Sequence, residues 1–220
     1  AVDNLSPAAE AKLNSVAAAK LPDAPQGNEK SRARVQGLIG ELHQCAGLGI
    51  RPPVMMHKSE VPNAAVIPGG TIIVFTGLLD HVQSENGLSF VLAHELAHIA
   101  NRDHLRGLGR GLVLFGISAI LTGSDSGLSG LLAPATHLGQ AKYSREREAL
   151  ADAKALQILN CRYGHAGGAT ELFEALRKED ADTSELSHYL ASHPSMQARI
   201  DALMRSVKVN GMQIRAVLPL

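Results

Sequence analysis

Apolar residues recur along the chain with two different periods, which divide it into a helical start, a short strand region and a longer helical remainder. An alanine-rich run after Ser6-Pro7 predicts a first helix, with serine as its N-cap and proline at the first helical position. A second helix is predicted over about residues 29–46 and ends at Gly47 and Gly49. Its apolar face repeats every three or four residues, at Val35, Leu38, Ile39, Leu42 and Cys45.

The region between residues 54 and 75 changes to short runs of β-branched and apolar residues. Val54 to Met56, Ala64 to Ile67 and Thr71 to Phe75 each predict a strand, and Pro68-Gly69-Gly70 predicts a turn between the last two. No helix alternates with these strands, as one would in a parallel βαβ arrangement. The pattern therefore predicts a small antiparallel sheet.

Helical periodicity returns after the sheet. Ser84 is a suitable N-cap for a helix through about Asn101, and a further helix is predicted over about residues 144–162, ending near Gly164. The remainder predicts helices with breaks at Gly167-Gly168, around Asp182-Thr183 and at His193-Pro194. The fold class is therefore α+β and mainly helical.

Composition narrows the class of protein. With 220 residues, 45% of them hydrophobic, the chain can bury one ordinary core, and we find no internal repeat and no second core. We predict one domain over residues 1–220, with a helical extension at 1–46 and a core at 50–207. Basic and acidic residues number 21 each and aromatic residues only 3%, with no tryptophan, which argues against a nucleic-acid partner.

The most apolar stretch is too short to cross a membrane. Leu112 to Leu121 contains ten residues, whereas a spanning helix needs roughly 20, so we expect no transmembrane segment. A buried helix is the first interpretation. The second is an interfacial or site-covering segment, which would give peripheral membrane contact through residues 107–123.

Two further features bear on processing and redox state. The chain begins at Ala1 without a charged-then-apolar leader, as expected of a processed mature form or a trimmed chain. Cys45 and Cys161 form no C-x-x-C motif, which excludes a zinc finger or a thioredoxin-type motif. They either pair, as in an exported protein, or remain two buried thiols, and both alternatives stay open.

The motif that carries chemistry is His94-Glu95-Leu96-Ala97-His98, an H-E-x-x-H pattern inside a helical segment. Residues four apart lie on one helix face, so both imidazoles can reach a single ion. Glu95 projects beside them, where a carboxylate can take a proton from water on the metal. The alternative, two histidines on a helix without metal, is disfavoured because residues suited to complete a metal site occur later in the chain.

A catalytic zinc ion takes three protein ligands and keeps one position open. Glu148 and Asp152 are also four apart, so one carboxylate can bind the ion while the other accepts a hydrogen bond from a ligand imidazole. Acidic pairs at this spacing are common on solvated helix faces, and we expect Glu146 to be solvated. The small residues Ala149, Ala151 and Ala155 instead indicate that the Glu148 face packs against another helix.

The sequence resembles a known family at these motifs. H-E-L-A-H followed by Y-S-R-E-R-E-A-L-A-D is similar to the gluzincin metallopeptidases that include the HtpX-type proteases and the CAAX prenyl endopeptidases, most closely their soluble, exported bacterial branch. The resemblance extends to Pro62–Gly70 and the strand after it, to Thr76–Leu79, and to Ser192–Ser195 with Arg199. It thus covers about residues 50–207, the predicted catalytic core.

The resemblance implies a zincin-like fold, in which the active-site helix packs against the small antiparallel sheet and a helical part follows. It implies one Zn²⁺ per chain, Glu148 as the third ligand, and Asp152 as the partner of a ligand histidine, His94. It also implies that the Thr71 to Phe75 strand borders the cleft, where an exposed edge could pair with an extended peptide. The substrate-binding candidates are Asn63, Ala64, Thr71, Ile72 and Ile73.

The chain departs from many of these relatives just after the motif. They carry an adjacent Arg-His pair, whereas here Asp103 separates Arg102 from His104. We therefore expect His104 to be a solvated helix-end residue. The first 45 residues contain no motif that the resemblance places.

His193 is the remaining candidate. As an isolated histidine before Pro194, it is either a surface or capping residue or a catalytic residue that faces the metal. In the second case it stabilises the oxyanion of the tetrahedral intermediate or occupies the open metal position in a resting state. Tyr143 and Arg199 are weaker oxyanion candidates, and Arg199 could equally be a structural ion-pair partner.

The expected function is that of a zinc-dependent endopeptidase with Glu95 as general base. The alternative is a latent or chaperone-like zinc-binding protein of the same fold. The expected substrate is a polypeptide, either unfolded or membrane-associated, with no recognisable pocket for one side chain. The resemblance implies a soluble protein in the periplasm or otherwise exported.

Overall fold

A computed structural model of the chain describes residues 5–19, 28–106, 144–178, 193 and 196–220. Helices dominate these ranges, together with one small sheet, which confirms the α+β, mainly helical class. The elements are α1 (Pro7–Ala18), α2 (Glu29–Cys45), β1 (Val54–His57), β2 (Ala64–Val66), β3 (Ile72–Phe75), α3 (Thr76–His81), α4 (Glu85–Ala100), α5 (Asp103–Arg106), α6 (Arg145–Tyr163), α7 (Glu171–Lys178) and α8 (Met196–Val209).

Helix α4 lies at the centre of the fold. Every residue from Asn86 to His98 is buried, and the helix packs against α2, α6 and β2. It begins at the predicted N-cap Ser84, whose Oγ accepts a hydrogen bond from the backbone of Gly87 at 2.9 Å. The carboxylate of Glu171, on α7, accepts further bonds from the backbone of Gln83 at 2.6 Å and of Ser84 at 2.9 Å. The start of the motif-bearing helix is therefore held both by its own N-cap, Ser84, and by Glu171 of another helix, α7.

Helix α6 also has the predicted ends. The Oγ atom of Ser144 accepts a hydrogen bond from the backbone of Arg147 at 3.3 Å, and the helix ends at Gly164, which has a φ of 72°. Only glycine adopts this left-handed conformation without steric cost, which explains the position of the helix end.

The sheet is mixed rather than wholly antiparallel. Its strand order is β1-β3-β2, with β3 antiparallel to β2 and parallel to β1. The prediction of an antiparallel sheet is therefore wrong for one of the two pairs. The reason is topological: β2 reverses the chain and pairs on the far side of β3, so β1 and β3 run in the same direction.

The cysteines pair. A disulfide joins Cys45, the last residue of α2, to Cys161 near the end of α6, with 5.9 Å between the two Cα atoms. Of the two alternatives left open by the sequence, the structure has the bonded one. The bridge ties α2 to the helix that carries Glu148 and Asp152.

The N-terminal helix α1 is docked on two sites of the core. The Oδ1 atom of Asn14 accepts hydrogen bonds from the backbone of Thr71 at 3.1 Å and from its hydroxyl at 2.6 Å. Glu10 forms an ion pair with Arg102, just beyond the end of α4. Leu5, Leu13 and Ala17 are buried. The extension thus connects the start of β3 with the end of α4.

The predicted apolar segment 107–123 and the predicted break around Asp182-Thr183 lie outside the described residues. Within the described residues, none of the helices combines the length and the apolar character that spanning a bilayer requires. Buried apolar residues from α2, the sheet, α4, α6, α7 and α8 form one continuous cluster. The division into extension and core stays a prediction.

Candidate metal centre

Two helices bring three of the predicted ligands together. His94 and His98 lie one turn apart on α4, and their Nε2 atoms are 3.0 Å from each other. The Glu148 carboxylate on α6 lies 3.5 Å from Nε2 of His94 and 3.3 Å from Nε2 of His98. Ala151 and Ala155 are fully buried on α6. Their small side chains allow α6 to pack closely against α4.

The donor set fits a bound cation. Two imidazole nitrogens that face each other at 3.0 Å can share at most one proton, so a metal ion satisfies both lone pairs better than a hydrogen bond does. Glu148 Oε1 is buried and makes no hydrogen bond with the described residues. His94, His98, Glu148 and His193 each offer a ligand atom, and these atoms all lie within 4.8 Å of one another.

Asp152 and Arg199 support His94 from the other side. His94 Nδ1 lies 3.0 Å from Asp152 Oδ1. Arg199 donates to both oxygens of Asp152, through Nε at 2.8 Å and Nη2 at 2.6 Å, and its Nη1 is 2.9 Å from Glu148 Oε2. Such a two-pronged contact fixes the orientation of a carboxylate. The sequence left the role of Arg199 open between oxyanion stabilisation and a structural ion pair. In the structure its guanidinium contacts two carboxylates of the centre, those of Asp152 and Glu148.

The charges of the centre are coupled. Burial lowers the pKa of His94, but hydrogen bonds to Asp152 and Glu148 raise it to about 9. Burial raises the pKa of Glu148, yet His193 and the two ligand histidines lower it far below its usual range. The pKa of Asp152 is raised by burial and lowered more strongly by His94 and Arg199, so it too lies below its usual value. Both carboxylates are therefore ionised at neutral pH, as metal ligation and its support require.

Glu95 lies beside the ligands. It is 1% exposed, and its Oε2 makes no hydrogen bond with the described residues. Its Oε1 is 3.8 Å from Nε2 of His193, whose Nδ1 is 2.9 Å from Glu148 Oε2. Burial lowers the pKa of His193. His193 is thus buried inside the centre, so the alternative of a surface or capping residue is wrong.

A small cavity opens beside these groups. Its volume is about 10 Å³, which leaves room for roughly one water molecule. It is bordered by catalytic candidates and by apolar side chains of α4 and α7: Asn63, Phe90, Val91, His94, Glu95, Leu172, Phe173, His193 and Arg199.

The structure corrects the predicted substrate edge. The strand Thr71 to Phe75 has no exposed edge, because β3 lies between β1 and β2. The backbone N–H of Phe75 donates to Asn63 O, and that of Ile67 donates to Thr71 O, both at 3.0 Å. These two hydrogen bonds set the register of β2 against β3. By alternation the main chain of Ala64 and Val66 faces away from β3. The outer edge on this side of the sheet therefore belongs to β2.

The remaining candidates have mixed outcomes. Glu146 is exposed, as expected. Tyr143 lies outside the described residues. His104 is only 6% exposed, and burial lowers its pKa to about 4, so the expectation of a solvated residue is wrong. The cause is the tight turn at Arg102, which directs the short helix α5 back toward the core.

One site residue was missed by the sequence reasoning. Asp103, treated there only as an interruption of the Arg-His pair, is buried, and its Oδ2 lies 3.0 Å from Nδ1 of His98. The available signal was a carboxylate five residues after the second histidine. Its direction could not be read from spacing, because the helix ends between the two residues.

Comparisons with known proteins agree with this geometry. Residues 29–207 match the model of Peptidase family M48. The mitochondrial metalloendopeptidase OMA1 of Schizosaccharomyces pombe is 30% identical over 152 residues, which are 65% of this chain and 43% of that protein. The protease HtpX homolog of Persephonella marina is 31% identical over 147 residues, covering 56% and 51% of the two chains. That of Pyrococcus abyssi is 28% identical over 217 residues, covering 81% and 75%.

The chain spans less than half the length of the OMA1 proteins that it matches. The family model, by contrast, covers most of the chain, including both motif-bearing helices and the sheet. The chain therefore belongs to peptidase family M48.

Proposed function

We propose that this chain is a zinc-dependent endopeptidase that holds one Zn²⁺ through His94, His98 and Glu148. The observation that carries the proposal is the convergence of two imidazoles and one carboxylate, 3.0–3.5 Å apart, in a buried space. Tetrahedral zinc, with bonds of roughly 2.0–2.2 Å to nitrogen and oxygen, separates its ligand atoms by roughly 3.3–3.6 Å. The names of the relatives, a metalloendopeptidase and two proteases, support the same function.

Bound zinc would supply Lewis acidity toward the scissile carbonyl and toward the attacking water. Glu95 is the general base: it accepts the water proton and later delivers it to the leaving amine. His193 has Nδ1 on Glu148 and Nε2 toward Glu95, and its ring borders the cavity; when both of its nitrogens carry a proton, Nε2–H can donate to the developing oxyanion. Asp152 and Arg199 keep His94 oriented.

The proposed substrate is a polypeptide in an extended conformation. The outer edge of β2 suits pairing with such a chain through Val66, whereas the backbone N–H of Ala64 already donates to Asn63 Oδ1 at 2.9 Å, and Asn63 also borders the cavity. Thr71 and Ile73 hold β2 from the central strand, and the backbone N–H of Ile72 donates to Pro53 on the β1 side, so we infer that these three residues do not bind a peptide themselves. Phe90, Val91 and Phe173 give this small cavity an apolar wall.

The disulfide supports the expectation of an exported location, since such bonds persist in oxidising compartments such as the periplasm. Contact with a membrane through residues 107–123 stays a prediction.

A second candidate function is favoured by His193. A catalytic zinc site needs an open position, and a fourth protein ligand would fill it. Because His193 lies in the same group of potential ligands, the enzyme could rest in a latent form, or act as a chaperone-like protein that binds zinc without cleavage.

The test compares cleavage of a reduced, alkylated and therefore unfolded protein by the wild type, Glu95→Gln and His193→Ala, with and without a zinc chelator. We expect chelator-sensitive cleavage by the wild type. Glu95→Gln should keep its zinc and lose about 10²-fold or more in rate, because the base is gone. Glu146→Gln, an exposed change on α6, is the matched control.

The outcomes separate the two candidates. Lower cleavage by His193→Ala supports the oxyanion role, and higher cleavage supports latency. Zinc bound without cleavage in all variants supports the chaperone-like alternative. Undiminished cleavage by Glu95→Gln would remove Glu95 from its role.

A further inference from the structure

The two histidines of the motif are oriented by different carboxylates. His94 Nδ1 contacts Asp152 of α6, whereas His98 Nδ1 contacts Asp103, which follows α4 in the same stretch of chain. The sequence motifs predict Asp152 as the partner of His94, but they predict no partner for His98. We infer that Asp103 is a positioning residue, which holds His98 so that its Nε2 points to the metal. This inference rests on the proposed zinc site.

Burial makes the contact strong. The side chain of His98 is 0% exposed and that of Asp103 is 3% exposed, with 3.0 Å between Nδ1 and Oδ2. A carboxylate removed from water is stable only when it is paired and hydrogen-bonded. When Nδ1 carries the proton that Asp103 accepts, the lone pair of the ring is left on Nε2. Nε2 is the atom that lies 3.0 Å from its counterpart on His94.

The other oxygen of Asp103 reaches the second metal-binding helix. Asp103 Oδ1 lies 3.7 Å from Nε of Arg147, the residue that precedes Glu148 on α6. Asp103 therefore contacts both a histidine of α4 and an arginine next to the carboxylate ligand. The pair is partly exposed on the arginine side, so it contributes less than the buried contact to His98.

The backbone is bent to bring Asp103 to this place. Arg102 has a φ of 57°, the left-handed conformation that residues other than glycine adopt at a cost. Its backbone donates to Ile99 at 2.9 Å, and its guanidinium is held by Glu10 and the carbonyl of Leu5 in the N-terminal region. The turn directs a residue five positions after His98 back toward that imidazole.

The test measures zinc affinity by competition with a chromophoric chelator for the wild type, Asp103→Asn and Asp103→Ala. We expect Asp103→Ala to bind zinc about 10- to 100-fold more weakly, the range seen when a supporting partner of a ligand is lost. Asp103→Asn should lose less, because its carbonyl oxygen can still accept from Nδ1. If Asp103→Ala does not fold, Asp103→Asn decides, with any loss above about threefold in support.

Arg147→Gln is the control for a merely structural role. It removes the ion pair of Asp103 and leaves the contact to His98, so its zinc affinity should stay within about twofold of the wild type. Proton NMR of the zinc-loaded protein gives a second readout. The Nδ1–H signal of His98 should be protected from exchange in the wild type and lost by exchange with water in Asp103→Ala.

Equal zinc affinity of the wild type and Asp103→Ala would overturn the inference, as would an equal loss in Arg147→Gln. Both results leave the proposed function standing. A wild type that binds no zinc would instead overturn the proposed function, and the inference with it.

Discussion

At the level of single residues, the centre crowds the carboxylates of Glu95, Glu148 and Asp152 and three imidazoles into one buried space, so each protonation state depends on its neighbours. Glu148 and Asp152 stay ionised because histidines and Arg199 surround them. His94 holds a proton in the metal-free protein because two carboxylates contact it. Zinc binding must therefore release a proton from the site.

We predict that zinc affinity rises with pH up to about pH 9. The pKa of His94 is lowered by burial and raised more by Asp152 and Glu148, to about 9, so zinc competes with a proton below that pH. Each unit below it weakens binding by up to about tenfold, and above it the dependence flattens. Calorimetry at pH 7 in two buffers of different ionisation enthalpy counts the released proton.

The matched variant is Asp152→Asn, which removes a charge that raises the His94 pKa. The zinc affinity of this variant should stop rising at a lower pH than that of the wild type. Zinc binding at pH 7 that releases no proton would contradict the prediction.

Which site residues could be predicted depends on where they stand in their helices. His94 with His98, and Glu148 with Asp152, are each four apart within one continuous helix, so spacing alone gives their common direction. Asp103 and His104 follow the end of α4, where the left-handed Arg102 sets the direction. Spacing does not encode that turn, so both residues were misjudged.

At the level of elements, local sequence patterns predict where helices and strands lie better than they predict which strands pair with each other. The caps Ser84 and Ser144 and the end at Gly164 follow from local chemistry. The position of β3 between its neighbours does not, because strand order is set by packing between distant parts of the chain. The sequence therefore predicts a peptide-pairing edge on β3, whereas the outer strand on this side of the sheet is β2.

We predict that the disulfide between α2 and α6 stabilises the fold. Replacing both Cys45 and Cys161 by serine should lower the free energy of unfolding by about 2–5 kcal/mol, since the bond closes a long loop in the unfolded chain. Denaturant titration measures this change. Reduction of the wild type should give a similar loss, whereas reduction of the double variant should have no effect. A double variant as stable as the oxidised wild type would contradict the prediction.

At the level of the whole molecule, contacts between distant residues join the parts that make the centre. Asn14 and Thr71 are 57 positions apart, and Glu10 and Arg102 are 92 apart, yet both pairs fasten α1 to the core. The first helix could be predicted from its cap and composition, but its docking could not, because single polar contacts over such separations leave no periodic pattern. The match to the family model begins only at residue 29, so it does not include α1.

The centre itself is a product of this larger arrangement, since its proposed ligands come from α4 and α6, and His193 comes from a third part of the chain. The most direct test is elemental analysis of the purified wild type, Glu95→Gln, Glu148→Ala and the exposed control Glu146→Ala. We predict one zinc per chain in the wild type, Glu95→Gln and the control, and a large loss in Glu148→Ala. One zinc per chain retained by Glu148→Ala would contradict a centre built from both helices.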